Sequence, residues 1–115
     1  MELYLAKTLD GMKKYGPIYD LSMEPAERVE SYQFGFEENE WLLDNVIDGI
    51  NAECDTLLDD GDYDFISADK CKALKDYLKK MDKSMIPSEY HEVIQKLIEF
   101  SDKAIEYGTG MAIDL

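Results

Sequence analysis

Two cysteines, three prolines and one histidine are all that 115 residues supply of the side chains that make covalent staples, rigid kinks and imidazole chemistry. The shortage of histidine limits catalysis most. A serine or cysteine nucleophile would have to recruit His91 as its only imidazole base, and no G-x-S-x-G occurs. "HEVIQ", His91 to Gln95, stops short of the zinc-protease pattern because Gln95 stands where the second metal-binding histidine belongs. With no C-x-x-C either, a zinc site lacks its usual ligand set. Cys54 and Cys71 fall at apolar positions of a helical pattern and read as small, reduced core residues, since free cysteine is among the most buried types. A disulfide between them would be unusual in the cytosol. The "GTG" at Gly108 to Gly110 follows a helix, the wrong order for cradling a phosphate at a helix N-terminus. These shortages point away from an enzyme and imply no cofactor and no metal.

Long apolar runs are missing too. Nothing approaches the roughly 20 apolar residues of a membrane span, and "MELYLAKTLDGMKK" lacks the basic start and apolar core of a secretory signal. A cytoplasmic protein that does not enter membranes is the expectation. The chain holds no internal repeat and no low-complexity linker, so residues 1–115 are expected to form a single acidic globular domain, long enough to bury roughly two-thirds of its unfolded surface.

Basic residues are scarce where acids are dense. The net charge is -14, and the stretch from Asp20 to Asp69 holds 16 acids against one base, Arg28, while the rest of the chain has 10 acids and 11 bases. All of the imbalance therefore sits in the middle. Such a field repels nucleic acid and anionic membranes and steers a basic protein toward the surface. Six lysines between Lys70 and Lys83 could serve phosphate binding, but the neighbouring acids argue against that, and the lysines are expected to offset the self-repulsion of the acidic segment.

Three segments carry a helical period. In Glu37 to Leu58, the residues Leu43, Val46, Ile47, Ile50, Cys54, Leu57 and Leu58 recur at spacings of three and four, with Glu37, Glu38 and Glu40 at the positive end of the helix dipole. Gly49 weakens this helix by about 1 kcal/mol relative to alanine and marks a close packing contact. A second helix spans about 67–83, with Cys71, Leu74, Leu78 and Met81 on one face and Ser67 or Asp69 as its cap. The third, about 88–107, repeats Tyr90, Val93, Ile94, Leu97, Ile98, Ser101, Ala104 and Ile105 and should stop at Gly108. "ELYLA" and "GMAIDL" read as short terminal strands able to pair with each other. Between them and the first helix, a short helix is expected around Pro25 to Glu30 and a strand around Ile18. The fold class is thus mainly α, an α+β arrangement of three packed amphipathic helices with short strands at the termini.

The acidic stretch "LLDDGDYDFIS" invites a calcium reading, which position-by-position testing rejects. An EF-hand loop takes oxygen ligands at positions 1, 3 and 5, glycine at 6 and glutamate at 12. With Gly61 at position 6, Leu58 falls on a ligand position; starting at Asp60, Phe65 replaces the glycine and Cys71 the glutamate. The segment reads instead as a solvated loop between the first two helices. Tyr32, Phe34, Phe36 and Trp41 lie directly among acids in "SYQFGFEENEW", a mixture that suits either a core or a binding hot spot ringed by charge.

The runs "FISADKCKALKDYLKK" and "EYHEVIQKLIEFSDKAIEYGTGMAIDL" resemble small bacterial immunity proteins of polymorphic toxin systems, including those of contact-dependent growth inhibition. In these an amphipathic helix leads through a glycine-containing turn to a final apolar strand. The resemblance covers less than half the chain. It implies a non-catalytic cytoplasmic protein that binds and neutralises one cognate toxin, often a basic nuclease. The partner-binding residues expected from charge and aromatic content are Glu37, Glu38, Glu40, Trp41, Asp44 and Asp48, with Asp59, Asp60, Asp62, Tyr63 and Asp64 as a second patch. Two other readings fit the same composition: a nucleic-acid mimic that inhibits a defence nuclease, and a non-catalytic adaptor or structural protein.

Overall fold

A computed structural model describes residues 1–115. Along the chain lie β1 (Glu2–Ala6), β2 (Lys14–Tyr15), β3 (Ile18–Tyr19), β4 (Val29–Gln33), α1 (Phe36–Asn45), α2 (Ile47–Cys54), β5 (Tyr63–Ser67), α3 (Ala68–Lys80), α4 (His91–Tyr107) and β6 (Gly110–Asp114). The two apolar ends of the sequence build the middle of the molecule. β1 and β6 run antiparallel, Glu2 opposite Asp114 and Ala6 opposite Gly110. β4 joins the other side of β1 and β5 the other side of β6, so the sheet has the order β4-β1-β6-β5 and is antiparallel throughout.

Side chains alternate across this sheet, and each face buries a different layer. Leu3, Leu5, Ile66, Met111 and Ile113 point to the helices and form the larger core with Leu42, Ile50, Leu74, Leu97 and Phe100. Tyr4, Ala6, Phe65 and Ala112 point the other way, where Met12, Leu21 and the β2–β3 ribbon cover them. A sheet buried on both faces explains why its central strands are nearly continuous apolar runs.

The mainly α expectation of three helices with terminal strands is corrected here. There are four α-helices, a four-stranded antiparallel sheet and a two-stranded ribbon. The single helix expected over 37–58 is two, because Val46 leaves helical geometry at φ -127° and ψ -41°. Asn45 Nδ2 bonds Trp41 O at 3.0 Å, a side chain competing for a carbonyl of the helical ladder, and Val46 and Ile47 are β-branched. α2 then ends at Cys54, four residues early. Asp55 adopts a left-handed conformation with φ 56°, and the Asn51 amide takes over the following backbone, accepting from Leu58 N and Thr56 Oγ1 and donating to Leu58 O. Leu57, expected on the buried face, is consequently 88% exposed.

The largest omission is β5. It lies in the stretch read as a loop, because Asp62 and Asp64, although they alternate with Tyr63 and Phe65, continue the Asp59-Asp60-Gly61 run that reads as a turn, and aspartate is depleted in strands. α3 starts after Ser67 and ends at Lys80, inside the expected range. α4 begins at His91, after a 3-10 turn over Ser88–Tyr90, and stops at Gly108, whose φ of 67° is the left-handed geometry that suits glycine. Pro25 to Arg28 forms a turn rather than a helix, with Arg28 N–H and Val29 N–H both donating to Pro25 O. β3 does occupy Ile18–Tyr19. The Tyr77 ring packs on Gly49 so closely that an added Cβ would lie 2.0 Å from its Oη.

Cys54 and Cys71 are buried and free. Burial pushes their thiols up, to about 11 and about 12 respectively. No helix is long and apolar enough to cross a membrane.

Candidate functional site

Asn39 decides how the acidic stretches meet. It sits in the second turn of α1, where the helix turns it inward and leaves it 1% exposed between charged neighbours. Its Nδ2 donates to Asp60 Oδ1 at 3.3 Å, which ties the start of α1 to the connection after α2. Its Oδ1 has no partner. Through this bond the two acidic patches become neighbours in space although about 20 residues separate them in sequence.

The loop holding the second patch is built from its own carboxylates. Asp62 N–H donates to Asp59 O at 3.0 Å, closing a turn, and Asp60 N–H donates to Asp59 Oδ1 at 2.8 Å. Asp64 accepts from Phe65 N at 2.9 Å and from Leu57 N at 3.3 Å, so it is spent on local structure. On α1, Glu38 Oε2 accepts from Gly35 N–H at 2.8 Å and satisfies an amide at the helix start.

The remaining expected contacts divide clearly. Glu37, Glu40, Asp44, Asp48, Asp59, Asp60 and Asp62 are exposed, and Glu38, Trp41, Tyr63 and Asp64 are half-buried. The Asn39–Asp60 bond ties α1, the helix that carries Glu37, Glu38, Glu40 and Trp41, to the Asp59–Asp62 turn. Asp48, exposed on α2, stands in a different environment, near the Tyr77 ring whose hydroxyl pKa it helps raise. Tyr63 is committed elsewhere: its hydroxyl donates to Tyr19 O at 2.5 Å and accepts from Leu21 N at 2.9 Å, pinning the ribbon onto the sheet. Burial pushes that hydroxyl far above the ordinary tyrosine value.

Trp41 stacks on Tyr90 with ring centroids 4.8 Å apart and planes 16° from parallel. Desolvation raises the Tyr90 hydroxyl pKa, with Glu89, Glu37 and Glu38 adding to the effect. Tyr32 is raised by burial and then by Glu92 and Glu38. Trp41 and Tyr90 therefore form a half-buried stacked pair beside carboxylates, and Tyr32, also half-buried against the larger core, shares Glu38 with Tyr90. Tyr90 and Asn39 escape sequence reasoning, since one reads as an ordinary helix position and the other as one polar residue among acids.

Lys96 Nζ lies 5.9 Å from the Tyr32 ring centroid, but the carboxylates of this surface have no ion-pair partner. The five ion pairs engage Glu24, Glu30, Glu99 and Asp102 as their acids, and none uses a carboxylate between Glu37 and Asp69. The lysines of α3 do not form ion pairs with the acidic segment; Lys75 pairs instead with Asp102 on α4. Arg28, the one base of the acidic stretch, is held by Glu24 at 2.9 Å and by Asp10 O. His91, next in sequence to Tyr90, has its Nε2 2.7 Å from Ile86 O. No cluster of three or more His, Cys, Asp or Glu side chains is arranged to hold a metal ion.

Comparison with protein-family models, with curated proteins and with solved structures returns no match to this chain.

Proposed function

We propose that the protein is a cytoplasmic immunity or inhibitor protein, without catalysis of its own, that binds and neutralises a basic toxin domain through the surface made by the start of α1 and the Asp59–Asp62 turn. The observation that carries this reading is a concentration of exposed carboxylates with no ion-pair partner, brought together by the Asn39–Asp60 bond. Carboxylates left unpaired in the free protein are available to lysines and arginines of a partner, and they raise its encounter rate. The stacked Trp41 and Tyr90 supply rigid aromatic area of the kind that anchors protein interfaces.

A charge-mimicking cap over a basic active site would exclude the polyanionic substrate of a nuclease. The direct test pairs this chain with the toxin-like domain encoded beside it in the native host. Co-expression should restore growth, and the purified proteins should associate with a rate that falls steeply with salt. Glu37→Lys, Glu40→Lys and Asp62→Lys together, at carboxylates that make no hydrogen bond or ion pair within the chain, should slow association and flatten that salt dependence with the fold intact. Equal protection and unchanged kinetics in the triple variant would remove this surface from the mechanism.

A further inference from the structure

β5 is an edge strand with one side paired to β6 and the other open. Two flanking bonds set the phase of its ladder: Leu115 N–H to Asp62 O at 2.8 Å and Ala68 N–H to Thr109 O at 3.0 Å. Antiparallel partners exchange bonds at every second residue, so 62, 64, 66 and 68 face β6 while Tyr63, Phe65 and Ser67 turn their backbone groups outward. Phe65 N–H fits this phase, since it is taken by Asp64 Oδ1 and not by β6. Tyr63 N–H and C=O, Phe65 C=O and Ser67 N–H are left facing outward.

A groove of about 480 Å³ lies along that side. Pro17 and Ile18 wall it from the ribbon, and the 88% exposed Leu57 walls it from the connection after α2. Its charged lining is three aspartates, Asp55, Asp62 and Asp64, against one cation, Lys70. An open row of backbone donors and acceptors between apolar walls fits an extended chain, and the aspartates fit one that carries lysine or arginine.

We infer that the β5 edge takes an extended basic segment of the partner protein as a fifth strand of the sheet. This rests on the basic-partner reading above and names the part of the partner that seats first in the groove. Five residues of β5 give a pairing length of about 17 Å. Asp64 acts as the guard of the edge: while it holds Phe65 N–H it blunts strand addition, and an incoming lysine draws it away and frees that donor. A second copy of this chain is disfavoured as occupant, because Asp62 and Asp64 would meet their own like charges and each chain carries -14.

Ser67→Pro is the discriminating variant. Ser67 already has φ -65° and its side chain makes no cap hydrogen bond, so proline fits the backbone, removes an outward donor and fills the space in front of it. The probe is a fluorescein-labelled peptide of about eight alternating lysine and valine residues, with a second version N-methylated on alternate residues to remove one edge of donors. Anisotropy titrations at about 0.15 M salt should give saturable binding to the full chain, weakened at least about tenfold by Ser67→Pro and by N-methylation. Thermal unfolding of Ser67→Pro shows whether it is folded; if it is not, the methylated peptide alone decides. Binding indifferent to both changes but lost on Glu37→Lys, Glu40→Lys and Asp62→Lys would overturn strand addition and leave the acidic-surface reading standing. Absence of saturable binding, or β5-dependent dimers in sedimentation, would overturn the inference as well.

Discussion

Asn39 carries a disproportionate share of the site because it is the one buried polar side chain that links two charged segments. Replacing it with aspartate keeps its shape but puts a carboxylate beside Asp60 in a nearly inaccessible position. Asn39→Asp should cost about 1–3 kcal/mol near neutral pH. A buried acid has its pKa raised, so this cost should shrink as pH falls toward the ordinary carboxylate range; urea unfolding at two pH values checks both statements. Gly110 is the other residue with no substitute. A Cβ there would lie 2.3 Å from Phe65 Cζ and 2.7 Å from Ile66 O, and the second of these is backbone of the paired strand. Gly110→Ala should destabilise by about 1–3 kcal/mol in the same assay, whereas Gly49→Ala meets the Tyr77 ring, a side chain able to swing aside, and should cost less.

Among the elements, the β1–β6 pair is both the centre of the fold and the site of a built-in conflict. Glu2 and Asp114 lie directly opposite each other, and like charges so placed oppose pairing. Burial raises the Asp114 pKa; the N-terminal ammonium opposes the shift, and Glu2 adds a smaller contribution to it. The sign follows from linkage. With a folded pKa above the unfolded one, Asp114 binds its proton more tightly in the native state, so its cost is absent below the unfolded value and grows as pH rises through the folded one. Asp114→Asn should therefore stabilise by about 0.2–1 kcal/mol at neutral pH, with the gap to wild type closing at about pH 3. Thermal melts across that range measure it. β5 shows the opposite economy: Asp64 weakens the strand's sequence signature, yet in the folded chain it protects an open edge.

For the whole molecule, charge distribution matters more than charge total. A protein whose ion pairs dominated would lose stability as salt rises, but here the acids from Glu37 to Asp69 have no ion-pair partners. Screening should relieve their repulsion. Raising sodium chloride from about 0.02 M to about 0.5 M should increase stability by roughly 1 kcal/mol, or a few degrees in Tm, by calorimetry. The same salt should slow association with a basic partner, so stability and binding rate should move in opposite directions.

Sequence by itself determined the elements whose signal is local: the amphipathic faces of α3 and α4, the stop at Gly108, the apolar terminal strands and the placement of charge. Each follows from spacing of three and four, from a left-handed glycine or from composition, none of which needs a distant partner. The tertiary structure alone decided the rest. The break at Val46 depends on side chains competing for backbone, and the exposure of Leu57 on Asn51 capturing the chain after Asp55. β5 exists because β6 offers it a ladder from the far end of the chain, and a short strand flanked by aspartates has little propensity until that partner is in place. The candidate surface is likewise non-local: its acids are visible in the sequence, but the contact between Asn39 and Asp60 that links their two segments is not.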